Sequence, residues 1–135
     1  MECRSAIENS TMAKKTRGRP VPQSADEVIL DVLIWFDDDH KDTEQRIKRR
    51  LRYHNLGPYQ QERLELLRRL NDETCSEIKR YDNSRYFSAR HGNHSDPKDF
   101  DIDRWIADLS ASYPEVPRAA LERFIPWAVY WHYLR

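Results

Sequence analysis

The segment "RHGNHSD" places His91, His94 and Asp96 within six residues, and Asp99, Asp101 and Asp103 follow closely. Imidazole and carboxylate side chains in one short loop are the ligands that zinc or manganese takes. No second cluster at ligand spacing follows, and His40, among aspartates, could add only a distant ligand. The run "DFDIDR" does not make a calcium loop either. Arg104 stands where that loop needs glycine, and Ser110 where it needs the closing glutamate. A polar loop leading into an acid-rich helix start accounts for all these residues, since carboxylates favour helix N-termini. No bound metal or other cofactor is expected. Nucleophilic chemistry has no better foothold. The chain lacks a G-x-S-x-G turn and a glycine-rich phosphate loop. Cys75 falls mid-helix, where it reads as a small buried apolar group. The sequence therefore predicts a protein that is not an enzyme and has no small-molecule substrate.

The remaining functional residues are basic. "KKTRGRPVP" packs Lys14, Lys15, Arg17 and Arg19 around Gly18, ahead of the first segment with a folded pattern. Arg17-Gly18-Arg19-Pro20 resembles the core of the AT-hook, a short DNA-binding segment. The fuller pattern has proline before the first arginine, where this chain has Thr16. The resemblance covers about seven residues and does not extend to the body of the chain. It implies that the extended Arg-Gly-Arg lies in the minor groove of A·T-rich DNA. Arg17 and Arg19 would enter the narrow groove, Gly18 would let the backbone approach, and Lys14 and Lys15 would touch phosphates.

A second basic cluster is the run "RIKRRLRYH". Ile47 and Leu51 form its apolar seam, leaving Arg46, Lys48, Arg49, Arg50 and Arg52 over the remaining surface. Such a helix can contact phosphates, or it can simply offset the preceding Asp37, Asp38, Asp39 and Asp42. Helix 43–54, the "NLGP" turn and the helix after it also have the lengths of a helix–turn–helix. Tyr59, Gln60, Gln61 and Arg63 would then project from the second helix, with side chains able to read adenine and guanine edges. A plain antiparallel helical hairpin explains the same residues. The candidate DNA contacts are thus Lys14, Lys15, Arg17, Gly18, Arg19, Arg46, Arg49, Arg50, Gln60 and Arg63.

Composition limits what else the chain can be. Its 135 residues suggest one domain. Charged residues make up 34% and apolar ones 39%, of which the 11% aromatics can still build a modest core. Net charge is zero, so any nucleic-acid contact must come from local clusters. Cys3 and Cys75 cannot build a disulfide framework, and residues 1–27 lack the apolar run of a secretory signal. The apolar stretches "VILDVLIWF" and "FIPWAVYWHYL" are too short to span a bilayer. These features predict a reduced cytoplasmic chain, found with the nucleoid or in the nucleus when bound to DNA. Met1 or Met12 could serve as its start.

Three glycines in the whole chain favour helices joined by short polar links. Residues 1–23 read as a disordered basic leader and 24–135 as a helical domain. "SADE" at 24–27 forms a capping box, and Val28 to Phe36 is apolar almost all round, the mark of a buried helix. Asp42 caps a helix over 43–54. The next spans 58–81, with Leu64, Leu67, Leu70, Thr74, Ile78 and Tyr81 as its stripe. Residues 82–96 form a loop, and Asp96 and Pro97 start a helix carrying Ile102, Trp105, Ile106 and Leu109. Pro117 opens the last helix, which Pro126 must kink. The expected fold is all-α, a single small domain of about five helices. At the aromatic C-terminus Phe124, Trp127 and Trp131 are assigned to the core. Tyr130, His132 and Tyr133 are the candidate contacts for a protein partner or a second copy.

Overall fold

Why the first helix is apolar on every side becomes plain from where it lies. The computed structural model describes residues 21–36, 39–89, 92 and 95–134. Its helices are α1 (Ala25–Phe36), α2 (His40–His54), α3 (Gln61–Lys79), α4 (Ile102–Ser112) and α5 (Arg118–Val129). Among the described residues there is no strand, only one isolated antiparallel bridge between Phe87 and Phe100. Helix α1 is the axis, with α2, α3 and α5 packed around it. Val28, Ile29, Leu30, Val32, Leu33 and Ile34 are all buried. Burial of each stabilises the fold by about 1.5–3 kcal/mol before chain entropy is counted. The leader residues 1–20 lie outside the described residues.

The N-terminal capping box forms only in part. Ser24 Oγ accepts from the Glu27 amide at 3.3 Å. The Glu27 carboxylate accepts from the Gln23 amide at 3.2 Å and the Ser24 hydroxyl at 2.9 Å, so it reaches one residue beyond the amide expected. Helix α2 starts earlier than the sequence predicts. Asp39, not Asp42, caps it, accepting from Lys41 N at 3.0 Å and Asp42 N at 3.3 Å. Asp42 sits in the first turn instead, where it pairs with Arg46 at 2.7 Å. Asn55 closes the helix in the left-handed conformation (φ 55°) and Gly57 follows at φ 92°, a value only glycine adopts without strain.

Helix α3 is shorter than predicted at both ends. Gln60 is still extended, and Tyr59 folds back over α2, where the Lys48 ammonium stands 5.0 Å from its ring. At the far end Tyr81 takes φ 58°, which no α-helix can continue. The helix expected to start at Asp96 is a 3₁₀ turn over Pro97–Asp99 with its own capping box. Phe100 then runs extended to bridge Phe87, and Asp101 caps α4 through the Arg104 amide at 3.2 Å. The sequence-predicted metal residues thus divide. His91 and His94 lie outside the described residues, while Asp96 and Asp101 serve as helix caps. No group of three metal-ligating side chains occurs among the described residues.

Helix α5 remains helical through Pro126, and a π turn follows over Tyr130–Leu134. It runs alongside α1 in the same direction, because Arg123 reaches Glu27 and Asp31 while Trp127 and Trp131 meet Trp35. No described helix is long and apolar enough to cross a membrane.

Candidate nucleic-acid interface on helix α2

Helix α2 is buried along Thr43, Ile47 and Leu51, spaced one turn apart. That seam fixes the rotation of the helix and so decides which residues face water. Lys41, Gln45, Arg49, Arg50, Arg52 and Tyr53 are exposed on the side away from α1. From Lys41 to Tyr53 this face is about 18 Å long at the helical rise, with its arginines gathered in the last turn and a half. Arg49, Arg50 and Arg52 engage no carboxylate among the described residues. Arg46 differs, since Asp42 holds its Nε at 2.7 Å. Lys48 is turned toward the Tyr59 ring. Tyr53 is 84% exposed, the most exposed large apolar ring described, and lies within the run of guanidiniums that have no carboxylate partner among the described residues. An isolated tyrosine in water gains nothing from that exposure. Beside arginines it offers a flat face for a sugar or base.

Of the sequence-predicted contacts on the second helix, Gln60 is exposed at the N-terminus of α3. Arg63 has a different task. Its Nε and Nη2 donate to both oxygens of Asp26 at 2.8 and 2.7 Å, and Nη2 also donates to the Glu115 carbonyl. Asp26 is buried, so this guanidinium neutralises a carboxylate of the central helix and is not available to DNA. This corrects the expectation for Arg63, and a recognition helix beginning at Tyr59 loses its arginine. Lys14, Lys15, Arg17, Gly18 and Arg19 lie outside the described residues.

The aromatic end sorts differently from the sequence reading. Phe124 is fully buried, as assigned. Trp127 and Trp131 are only half-buried and join Trp35 and Tyr130 in one surface cluster. Trp35 lies 4.0 Å from the Trp131 ring centre and 5.8 Å from that of Trp127, which stacks on Tyr130 at 5.1 Å. Trp35 is 43% exposed and Tyr130 44%, so Trp35, placed in a buried helix by its sequence, is in fact at the surface. His132 and Tyr133, expected as partner contacts, are committed to the fold. The Tyr133 hydroxyl donates to Asp99 at 2.6 Å, and Asp99 is fully buried. Burial and that carboxylate both push the phenol well above its usual range. His132 Nε2 lies 3.0 Å from the Cys75 sulfur, tying the π turn to α3. Burial raises the thiol pKa and lowers that of the imidazole, with Lys79 also acting on each. Both directions favour a neutral thiol–imidazole pair over the thiolate–imidazolium pair of a cysteine nucleophile. Cys75 is therefore a hydrogen-bonded, partly buried thiol, not the apolar filler its position suggests.

Comparison with protein-family models, with curated proteins and with solved structures gives no match to this chain.

Proposed function

We propose that this is a small, non-enzymatic DNA-associated accessory or regulatory protein that holds DNA through the α2 strip and through the leader. The observation that carries this reading is the set Arg49, Arg50, Arg52 and Tyr53 on one exposed helix face, with guanidiniums that no described carboxylate neutralises. A chain of zero net charge has no general attraction for DNA, so such a concentration of free cations is local and directional. The α2 arginines supply phosphate contacts, which fix position without reading sequence. The leader's Arg17-Gly18-Arg19 supplies the A·T preference. The reading is tested by fluorescence anisotropy on A·T-rich and G·C-rich duplexes at low salt. The intact protein should favour the A·T-rich duplex. Arg17→Ala with Arg19→Ala should abolish that preference, while Lys14→Ala weakens both duplexes about equally. Equal affinity of the intact protein for both would reduce the leader to a basic tail.

The surface cluster of Trp35, Trp127, Tyr130 and Trp131 favours a second reading, a protein-binding adaptor or inhibitor with no DNA role. Tryptophan and tyrosine dominate interface hot spots. In the DNA reading the same cluster joins two copies, and two strips on one assembly give useful affinity where one alone is weak. Trp35→Ser with Tyr130→Ser separates the two. Under the DNA reading the intact protein sediments as a dimer and the variant as a folded monomer with weaker DNA binding. A partner-only protein would show no DNA binding in either form.

A further inference from the structure

Away from the α2 strip, a cleft of about 710 Å³ opens between α3 and α4. That is within the usual size of small-ligand sites. Helix α4 packs mainly on α5 and leaves this side of α3 uncovered. The cleft is polar and its charges are sorted along its length. At one end Arg80 and Arg85 stand beside Glu77; at the other are Asp72, Glu73 and Ser112. Neither Arg80 nor Arg85 has a carboxylate partner among the described residues. Four carboxylates, those of Asp72, Glu73, Glu77 and Asp108, face two guanidiniums, a net charge of −2.

The arginine end is built rather than incidental. Glu77 is 7% exposed, and its Oε2 accepts from Ser84 Oγ at 2.5 Å and from Arg85 N at 2.7 Å. No described residue donates to its Oε1. The Arg85 backbone is held from its other side as well, because the Arg104 guanidinium donates to its carbonyl. On the cleft floor Thr74 is 1% exposed, and its hydroxyl has no hydrogen-bond partner among the described residues. A buried hydroxyl left unmade is costly, and native proteins seldom keep one without use. The wall rings are closed to stacking. Tyr86 and Trp105 are buried and stack on each other at 5.0 Å, so a nucleobase would find no open face.

We propose that this cleft binds a free basic α-amino acid. Its carboxylate meets Arg80 and Arg85, a fork geometry to which guanidinium is suited. Its α-ammonium meets the open oxygen of Glu77. Its cationic side chain runs along α3 toward Asp72 and Glu73, which lie about 10–12 Å from Arg80 at the helical rise. A ligand with net charge +1 also relieves the surplus of carboxylates, which a neutral or acidic amino acid does not.

Calorimetric titration of the full chain tests this with four probes: L-arginine, agmatine (no carboxylate), N-acetyl-L-arginine (no α-ammonium) and L-glutamate. L-arginine should bind saturably, and the other three at least tenfold more weakly. Arg80→Ala with Arg85→Ala, both on the surface, should weaken L-arginine at least tenfold and leave agmatine unchanged. Circular dichroism checks that this variant folds, and if it does not, the four probes on the unaltered chain decide. Absence of binding by 10 mM L-arginine would overturn the proposal. So would agmatine binding as tightly as L-arginine, because the cleft would then only gather cations on its acidic side.

Discussion

Replacing Arg123 by alanine is expected to cost about 3–5 kcal/mol of stability, the range for removing one partner of a buried ion pair. Arg123 on α5 faces two carboxylates of the central helix. Its Nη2 lies 2.9 Å from Asp31, and its Nε 4.0 Å from Glu27. The three side chains are between 7% and 13% exposed, so water cannot take over when the guanidinium leaves. The loss should lower Tm by roughly 10–20 °C for a domain of this size. Thermal melts followed by circular dichroism measure it. Adding Asp31→Ala to Arg123→Ala should restore part of the loss, since one stranded charge is then gone. A loss below about 1 kcal/mol would place the cluster with ordinary surface bridges instead.

The second large effect concerns DNA. Changing Arg49, Arg50 and Arg52 together to alanine should weaken binding to any duplex by roughly 100-fold at 0.1 M salt. Three phosphate contacts each release a counterion, so the slope of log affinity against log salt should fall in magnitude by about 2.7. The fold should persist, because all three side chains are exposed and the buried seam of Thr43, Ile47 and Leu51 is untouched. The A·T preference, assigned to the leader, should survive in the triple variant. A change in slope near zero would mean that α2 does not touch phosphates.

Much of the fold follows from local pattern. The box at Ser24 and Glu27 and the apolar run after it identify α1 as a central helix, and the seam of α2 and the stripe of α3 are plain in their three- and four-residue spacing. What the pattern misses is set by residues far away in sequence. Arg63 reads as a surface arginine until Asp26, 37 positions earlier, is seen to need it. His132 and Cys75 are 57 positions apart, and nothing near either residue announces the other. Trp35 continues an apolar run, yet the end of α5 covers only part of it. The end of α3 was equally hidden. A continuing stripe argued for Tyr81, while a left-handed backbone at that residue stops the helix. The α2 strip is legible in part: spacing shows which residues face the core, but not that Asp42 takes Arg46 while Arg49 and Arg50 meet no carboxylate among the described residues. The exposed Tyr53 carried no sequence signal, because one tyrosine among arginines fits a core, a cap or a surface equally well. The α3–α4 cleft had none either, since its two walls come from segments that only the fold brings together.

The central claim, that this chain holds DNA through sorted local cations despite zero net charge, is tested most directly by the salt dependence of its affinity. A labelled A·T-rich duplex is titrated with the intact protein at several salt concentrations. Three α2 arginines and four leader cations give a slope of about −6 if all contact phosphate or groove at once. The account predicts saturable binding at low salt with a slope between about −5 and −7. No change in anisotropy at micromolar protein in 50 mM salt, or a slope near zero, would contradict it.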